Sequence, residues 1–186
     1  LCLSVRPGLA EDCGDPGPAA VPDARYIVIQ NGTVKDQTSG LMWKRCAEGL
    51  GGIGCTAGQA QRMRWSWALE HARSSRFGGY SDWRLPDREE LLSLLQRRCH
   101  GLDIDGVSFP NTSPSQKCRL MRSPSHFWSA TPASYYPGSA WVVHFGNGSI
   151  DYGTRSEMTY VRLVRDAESC TPVTPATCLP HEDRLY

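Results

Sequence analysis

Eight cysteines, at positions 2, 13, 46, 55, 99, 118, 170 and 178, are the most reactive side chains in this sequence. Thiols can ligate metals, attack electrophiles or form bridges. No CxxC pair and no Cys/His cluster with zinc-finger spacing occurs, and the even count favours bridges. Cys46 and Cys55, Cys170 and Cys178, and the more distant Cys99 and Cys118 would each close a short loop. A loop of about ten residues is stabilised by roughly 2–3 kcal/mol in the chain-entropy picture. Cys2 and Cys13 are left without an assigned partner. Bridges of this kind persist in oxidising surroundings, so the expected location is secreted, cell-surface or periplasmic.

Other catalytic chemistry is thin. The sequence holds no G-x-S-x-G, H-E-x-x-H or P-loop, and no G-x-G-x-x-G that opens a helix after a strand. The five histidines, at 71, 100, 126, 144 and 181, are scattered. "DIDG" at 103–106 alternates two carboxylates before a glycine, but the further oxygens and the late bidentate Glu of a calcium loop do not follow, so it reads as a polar turn. The expectation is no catalytic residue, no metal and no cofactor.

What remains is cationic and aromatic. Arg far outnumbers Lys, which occurs only at 35, 44 and 117, and Arg suits bidentate contact with carboxylate, sulfate or phosphate. Arg62, Arg64, Arg97, Arg98, Arg119 and Arg122 fall on loops or helix ends. If they share a face they form a patch for anionic ligands; if they do not, they are solvated surface. Tyr135 and Tyr136, in a loop, are candidates for stacking on a sugar or a partner. Core packing accounts for most of Trp43, Trp65, Trp67, Trp83, Trp128 and Trp141. The formal net charge of +1 gives no polyelectrolyte attraction to nucleic acid or anionic membrane. No window approaches the roughly 20 apolar residues of a membrane span.

These side chains need elements to position them. "LCLSVRPGLAEDC" reads either as the tail of an export signal over 1–10, with a cut at Glu11, or as a mature terminus that starts apolar. Residues 11–24 form a Pro/Gly-rich leader and 167–186 a Thr/Pro-rich tail with two cysteines. Between them, 25–166 reads as one domain. "YIVIQNGTVKDQ" predicts a hairpin turning at Asn31-Gly32, and "GNG" at 146–148 a second. One helix starts at a Ser66 cap and stops at Gly78-Gly79. A second runs from about Arg88 to Arg98, capped by Asp87 and Glu90, with Leu91, Leu94 and Leu95 inward. Residues 99–125 read as loop, and "HFWSAT", "AWVVHF", "SIDYG" and "YVRLVRD" as an antiparallel meander. The sum is α+β.

In this order "VKDQTSGLMWKRC", "WSWALEHA", "GGYSDWRLPDREELLSLL", "SFPNT", "FWSAT", "AWVVHFGNGSIDY" and "VRLVRD" resemble the bacterial family named after the C-terminal domain of the Legionella collagen-like adhesin, over roughly 26–166. The Cys46/Cys55 pair is similar to a bracket in many of its members. The resemblance implies an exported, compact α+β domain, C-type-lectin-like, with two helices packed on antiparallel strands and disulfide staples. It implies structural roles for Trp83, which buries, Arg84, which pairs with a carboxylate or carbonyl, and Pro86 and Asp87, which start the helix. The family's named adhesin attaches to sulfated polysaccharide. This chain lacks Gly-X-Y repeats and the Glu-Pro-Asn and Trp-Asn-Asp tripeptides of calcium-dependent sugar binding. The expected function is therefore a non-enzymatic binding module for a glycan or other surface ligand. The alternatives are a subunit of an extracellular assembly, bound to copies of itself through its terminal segments, and an oxidase akin to sulfatase-modifying enzymes, which would need free cysteines.

Overall fold

The computed structural model describes residues 24–98, 101–112 and 125–168. The domain opens with the expected hairpin, β1 (Tyr26–Ile29) and β2 (Thr33–Asp36). Its loop holds three residues, and only Gly32 needs positive φ, at 84°; its N–H closes the turn on Ile29 C=O at 3.1 Å. Then follow β3 (Leu41–Lys44), β4 (Leu50–Gly51), β5 (Ala57–Gly58), β6 (Arg62–Met63), α1 (Trp65–Ser74), α2 (Arg88–Ser93), β7 (Leu95–Arg98) and β8 (Gly101–Ile104). The chain continues through β9 (His126–Pro132), β10 (Ser139–His144), β11 (Ile150–Thr154), β12 (Thr159–Tyr160) and β13 (Val164–Asp166).

Two sheets carry the structure. One has the order β1-β2-β3-β13, the other β11-β10-β9-β12-β6, and β4-β5 and β7-β8 are two-stranded ribbons. β11, β10 and β9 form the expected meander. β12, however, runs parallel to β9. Residues 161–163 then carry the chain across to the first sheet, where Leu163 C=O accepts from Lys44 N–H and Val161 C=O from Glu48 N–H, both at 2.9 Å.

The α+β, C-type-lectin-like expectation is overturned. Among the described residues the chain is mostly β, 37% strand against 13% helix, with curled sheets and two helices. The second helix accounts for part of the difference. Asp87 caps it as expected: its carboxylate accepts from Glu90 N–H at 2.7 Å, and Glu90 returns the bond to Asp87 N–H at 2.8 Å. It stops at Ser93 because Leu95–Arg98 pair with Gly101–Ile104 as a hairpin. Leu91 and Leu94 are fully buried, and Leu95 joins the same cluster from the strand. An i, i+3, i+4 leucine pattern fits both outcomes, so the pairing partner decided it.

α1 begins earlier than expected. Arg64 is its N-cap, without a side-chain bond, and Ser66 lies in its first turn. It buries Ala68 and Ala72 and ends at Ser74, ahead of the glycine pair. The Gly-Gly pair serves instead in a reverse turn, where Phe77 and Tyr80 exchange backbone bonds of 3.0 and 3.1 Å.

Trp43, Trp83 and Trp128 are buried. Trp83 donates from Nε1 to Phe77 C=O at 3.0 Å. Arg84 grips Glu90 with both Nη atoms, at 2.7 and 2.6 Å, and reaches Asp166 at 3.2 Å. Pro86 C=O accepts from Ala130 N–H at 2.6 Å, which docks the helix start on β9. The segment "WRLPD" thus ties the Phe77–Tyr80 turn, the start of α2 and β9 together. Among the described residues, Arg162 and Arg165 are both buried arginines, and Arg162 lies in the core. It is fully buried between Phe109 and Phe127, 5.1 and 5.5 Å from the ring centroids. It donates to Lys44 C=O at 2.8 Å and Thr112 Oγ1 at 2.7 Å, and burial pushes its pKa down to about 9.

Cys46 and Cys55 form a disulfide. Cys2, Cys13, Cys99, Cys118, Cys170 and Cys178 lie outside the described residues, as do 1–23 and 169–186 of the expected leader and tail. "DIDG" is only half a turn, since β8 runs through Ile104 in a stretch expected to be loop; the turn starts at Asp105, which accepts from Ser108 N–H at 3.0 Å. Among the described residues no helix is long and apolar enough to cross a membrane.

Candidate functional site

Two exposed arginines, Arg62 and Arg64, stand where β6 runs into α1. Arg62 and Arg64, two apart on an extended backbone, point to the same side. Arg62 stacks over Tyr160 at 4.8 Å and Arg64 over Trp67 at 5.2 Å. The turn after β11 adds Arg155, whose C=O accepts from Trp65 N–H at 3.2 Å and whose guanidinium lies 4.3 Å from the Trp65 centroid. Trp65 is itself anchored, donating from Nε1 to Ser129 C=O at 2.8 Å. Three guanidinium groups therefore each lie over an aromatic ring. Arg62 and Arg64 have no carboxylate partner among the described residues, and the first turn of α1 contains no acidic residue. Their hydrogen-bonding edges are left for a ligand.

Beside this ledge lies a cleft of about 230 Å³ whose lining includes Arg62, His126, Asp151, Tyr152, Glu157 and Tyr160. It is mixed in charge. His126 sits 4.2 Å from His144, ring centroid to ring centroid. Its pKa is lowered by burial and by the charges of His144 and Arg62, with Asp151 partly opposing them.

At the rim of the same sheet Tyr136 stacks on Tyr152, centroids 3.8 Å apart and planes 13° from parallel. Trp141, the register partner of Tyr152, meets it edge-on at 6.3 Å. Arg88 covers Trp141 at 5.1 Å. The Tyr152 phenol is pushed above its ordinary pKa by its bond to Tyr136. Tyr135 projects fully, 91% exposed.

Of the six arginines picked from sequence, Arg62 and Arg64 come together. Arg97 and Arg98 belong to the separate β7-β8 ribbon, and Arg119 and Arg122 lie outside the described residues. Arg155, Trp65, Trp67 and Tyr152 were missed as ligand candidates. Trp67 alone carried a signal, since a tryptophan beside Ser66 and Glu70 on a helix has a polar neighbourhood. His71 is tied to Glu48 at 2.7 Å, and His100 and His181 lie outside the described residues.

No curated protein matches the chain. A family model, the Lcl C-terminal domain, matches residues 32–165.

Proposed function

The chain belongs to the Lcl C-terminal domain family, and from that premise we propose that it is a non-enzymatic, adhesin-related module, exported to the cell surface or beyond, that binds glycan. The observation that carries this reading is the ledge of Arg62, Arg64 and Arg155 laid on Tyr160, Trp67 and Trp65. Planar cations immobilised on rings lose little entropy when they bind sulfate or carboxylate. The adjacent Tyr136, Tyr152 and Trp141 offer ring faces and edges for sugar C–H groups. The Cys46–Cys55 bridge fits an oxidising location.

The test is binding of the purified, oxidised protein to sulfated and neutral polysaccharides, at low and physiological salt, with and without chelator. The expected result is saturable binding to the sulfated set that weakens with salt, ignores chelator and drops more than about tenfold, roughly 1.4 kcal/mol, in Arg62→Ala/Arg64→Ala. No binding to any glycan, or binding unchanged in that variant, would overturn it.

One observation favours the second reading, a subunit of an extracellular assembly. The backbone bonds His144–Ser149 and Arg155–Gly138 set the β10-β11 register so that Ile150 and Tyr152 turn their amides outward from the sheet; the Tyr152 N–H donates to Asp151 Oδ1 at 2.8 Å, which leaves the Ile150 amide as the one facing a new strand. β11 is an edge strand, and Ile150 and Tyr152 are 43% and 41% exposed. Such an edge can pair with another strand. Concentration-dependent self-association that is lost on Ile150→Pro would favour this reading over the first.

A further inference from the structure

His126 and His144 are register partners on β9 and β10. Phe145 N–H donates to Ser125 C=O at 2.8 Å, which makes theirs a non-hydrogen-bonded pair, the position where cross-strand side chains stand closest. The rings meet at 4.2 Å and 73°. Two imidazole nitrogens about 2.0–2.1 Å from a shared ion place their ring centroids roughly 4.5–5 Å apart. A small rotation about the side-chain bonds of exposed His126 and half-buried His144 supplies the difference.

The surrounding groups set the chemistry. Ser125 Oγ lies 3.1 Å from His126 Nδ1; when the hydroxyl accepts the Nδ1 proton, Nε2 keeps its lone pair for a ligand. Asp151 is diagonal to His144 on the same face and lines the cleft with His126 and Glu157. Both carboxylates favour a cation there, and Arg62, in the same cleft, opposes one. Imidazole pairs suit borderline divalent ions, and Cu²⁺ leads the affinity order.

We propose that His126 and His144 bind a divalent transition-metal ion, Cu²⁺ before Ni²⁺ or Zn²⁺, through their Nε2 atoms, with water completing the shell and the Asp151 carboxylate, whose Oδ1 accepts from Tyr152 N–H at 2.8 Å, acting only as a nearby charge. Among the described residues no group of three or more His, Cys, Asp or Glu is placed to hold a metal, so the site has two primary ligands. Its affinity is correspondingly modest, on the order of micromolar. A specific cost adds to this: Gly146 N–H donates to His144 Nδ1 at 3.2 Å. Binding at Nε2 moves the ring proton to Nδ1 and gives up that contact. The proposal stands on its own geometry and does not rest on the glycan reading.

The experiment is a Cu²⁺ titration of the full oxidised chain near pH 7 against a competing chelator, followed by electron paramagnetic resonance, with Zn²⁺ calorimetry alongside. One ion per chain with couplings from two imidazole nitrogens is expected. His126→Asn and His144→Asn should each weaken binding more than about tenfold and remove nitrogen couplings. Arg62→Ala should tighten binding, because it removes the opposing charge. Urea midpoints of the variants establish that they are folded. No bound ion, or affinity and spectrum unchanged in the His126→Asn/His144→Asn double variant, overturns the proposal.

Discussion

Asp36 offers the sharpest test of how the first sheet is held. Its side chain is fully buried, and Arg25, 19% exposed, closes on it with Nε at 2.8 Å and with Nη2. Thr38 N–H at 2.9 Å and Ser39 Oγ at 2.7 Å also donate to it. Arg25 in turn donates from Nη1 to Ser93 C=O at 2.7 Å, so this carboxylate fixes the start of the domain to the end of α2. Removing one partner of a buried pair costs about 3–5 kcal/mol when the other charge is stranded. Arg25 keeps some access to water, which places Asp36→Ala near the lower end, about 3 kcal/mol. Asp36→Asn retains an acceptor and should cost about half as much.

Titration gives an independent check. Burial alone would raise the Asp36 pKa; the Arg25, Ser39 and Thr38 bonds outweigh it and hold the carboxyl below its ordinary value. A depressed folded pKa means stability that is present above the unfolded value, about 3.9, and is lost as pH falls through the folded one. Urea denaturation should therefore show a wild-type midpoint that declines below about pH 4 and a flatter decline in Asp36→Asn. The m-value should not change. A loss under about 1 kcal/mol for Asp36→Ala, or a double-mutant cycle with Arg25→Ala that shows no coupling, would refute the reasoning.

Glu48 behaves in the same sense. Burial would raise its pKa, but the His71 bond and the Lys44 charge, 2.8 Å away, hold it below the ordinary value. Glu48→Gln should lose about 2–3 kcal/mol at neutral pH, and its urea midpoint should respond less to acid below about pH 4.5. Gly58 has φ near +83°, and a Cβ there would sit 2.3 Å from Gly49 C=O, whereas Gly40, at +71°, has open space around it. Gly58→Ala should thus destabilise by more than about 2 kcal/mol and Gly40→Ala by about 1, read from thermal midpoints. Cys46→Ser/Cys55→Ser should lower stability by roughly 2–3 kcal/mol and remove that bridge's share of any dependence on reductant.

The parts of the fold legible in the sequence are those set by neighbours along the chain. Asn31-Gly32 and Gly146-Asn147-Gly148 turn where they must, and Asp87 and Glu90 satisfy each other within one helical turn. Distant partners account for the misreadings. Leu95 continues a helical leucine pattern, yet its pairing with Ile104 makes it strand. "YVRLVRD" alternates like one strand, yet Arg162 must leave the alternation to reach the carbonyls of Lys44 and Arg45. One run therefore becomes β12, a crossing and β13.

The candidate site follows the same division. Arg62 and Arg64 could be paired from sequence because two residues on an extended backbone share a side. Arg155 could not, because it enters through a turn some ninety residues later and is placed by Trp65 N–H and Gly138 C=O. His126 and His144 are likewise brought into contact only by the β9-β10 register, which shifts once between Ala140 and Val142. A one-residue slip there would send one imidazole to the opposite face. The alternation of each strand gives the side on which its residues stand, and register decides which of them meet. The ligand-facing chemistry of this domain is thus a property of strand pairing, and variants that disturb the β9 irregularity at Ser129–Thr131, opposite Trp141, should disturb the histidine pair without touching it.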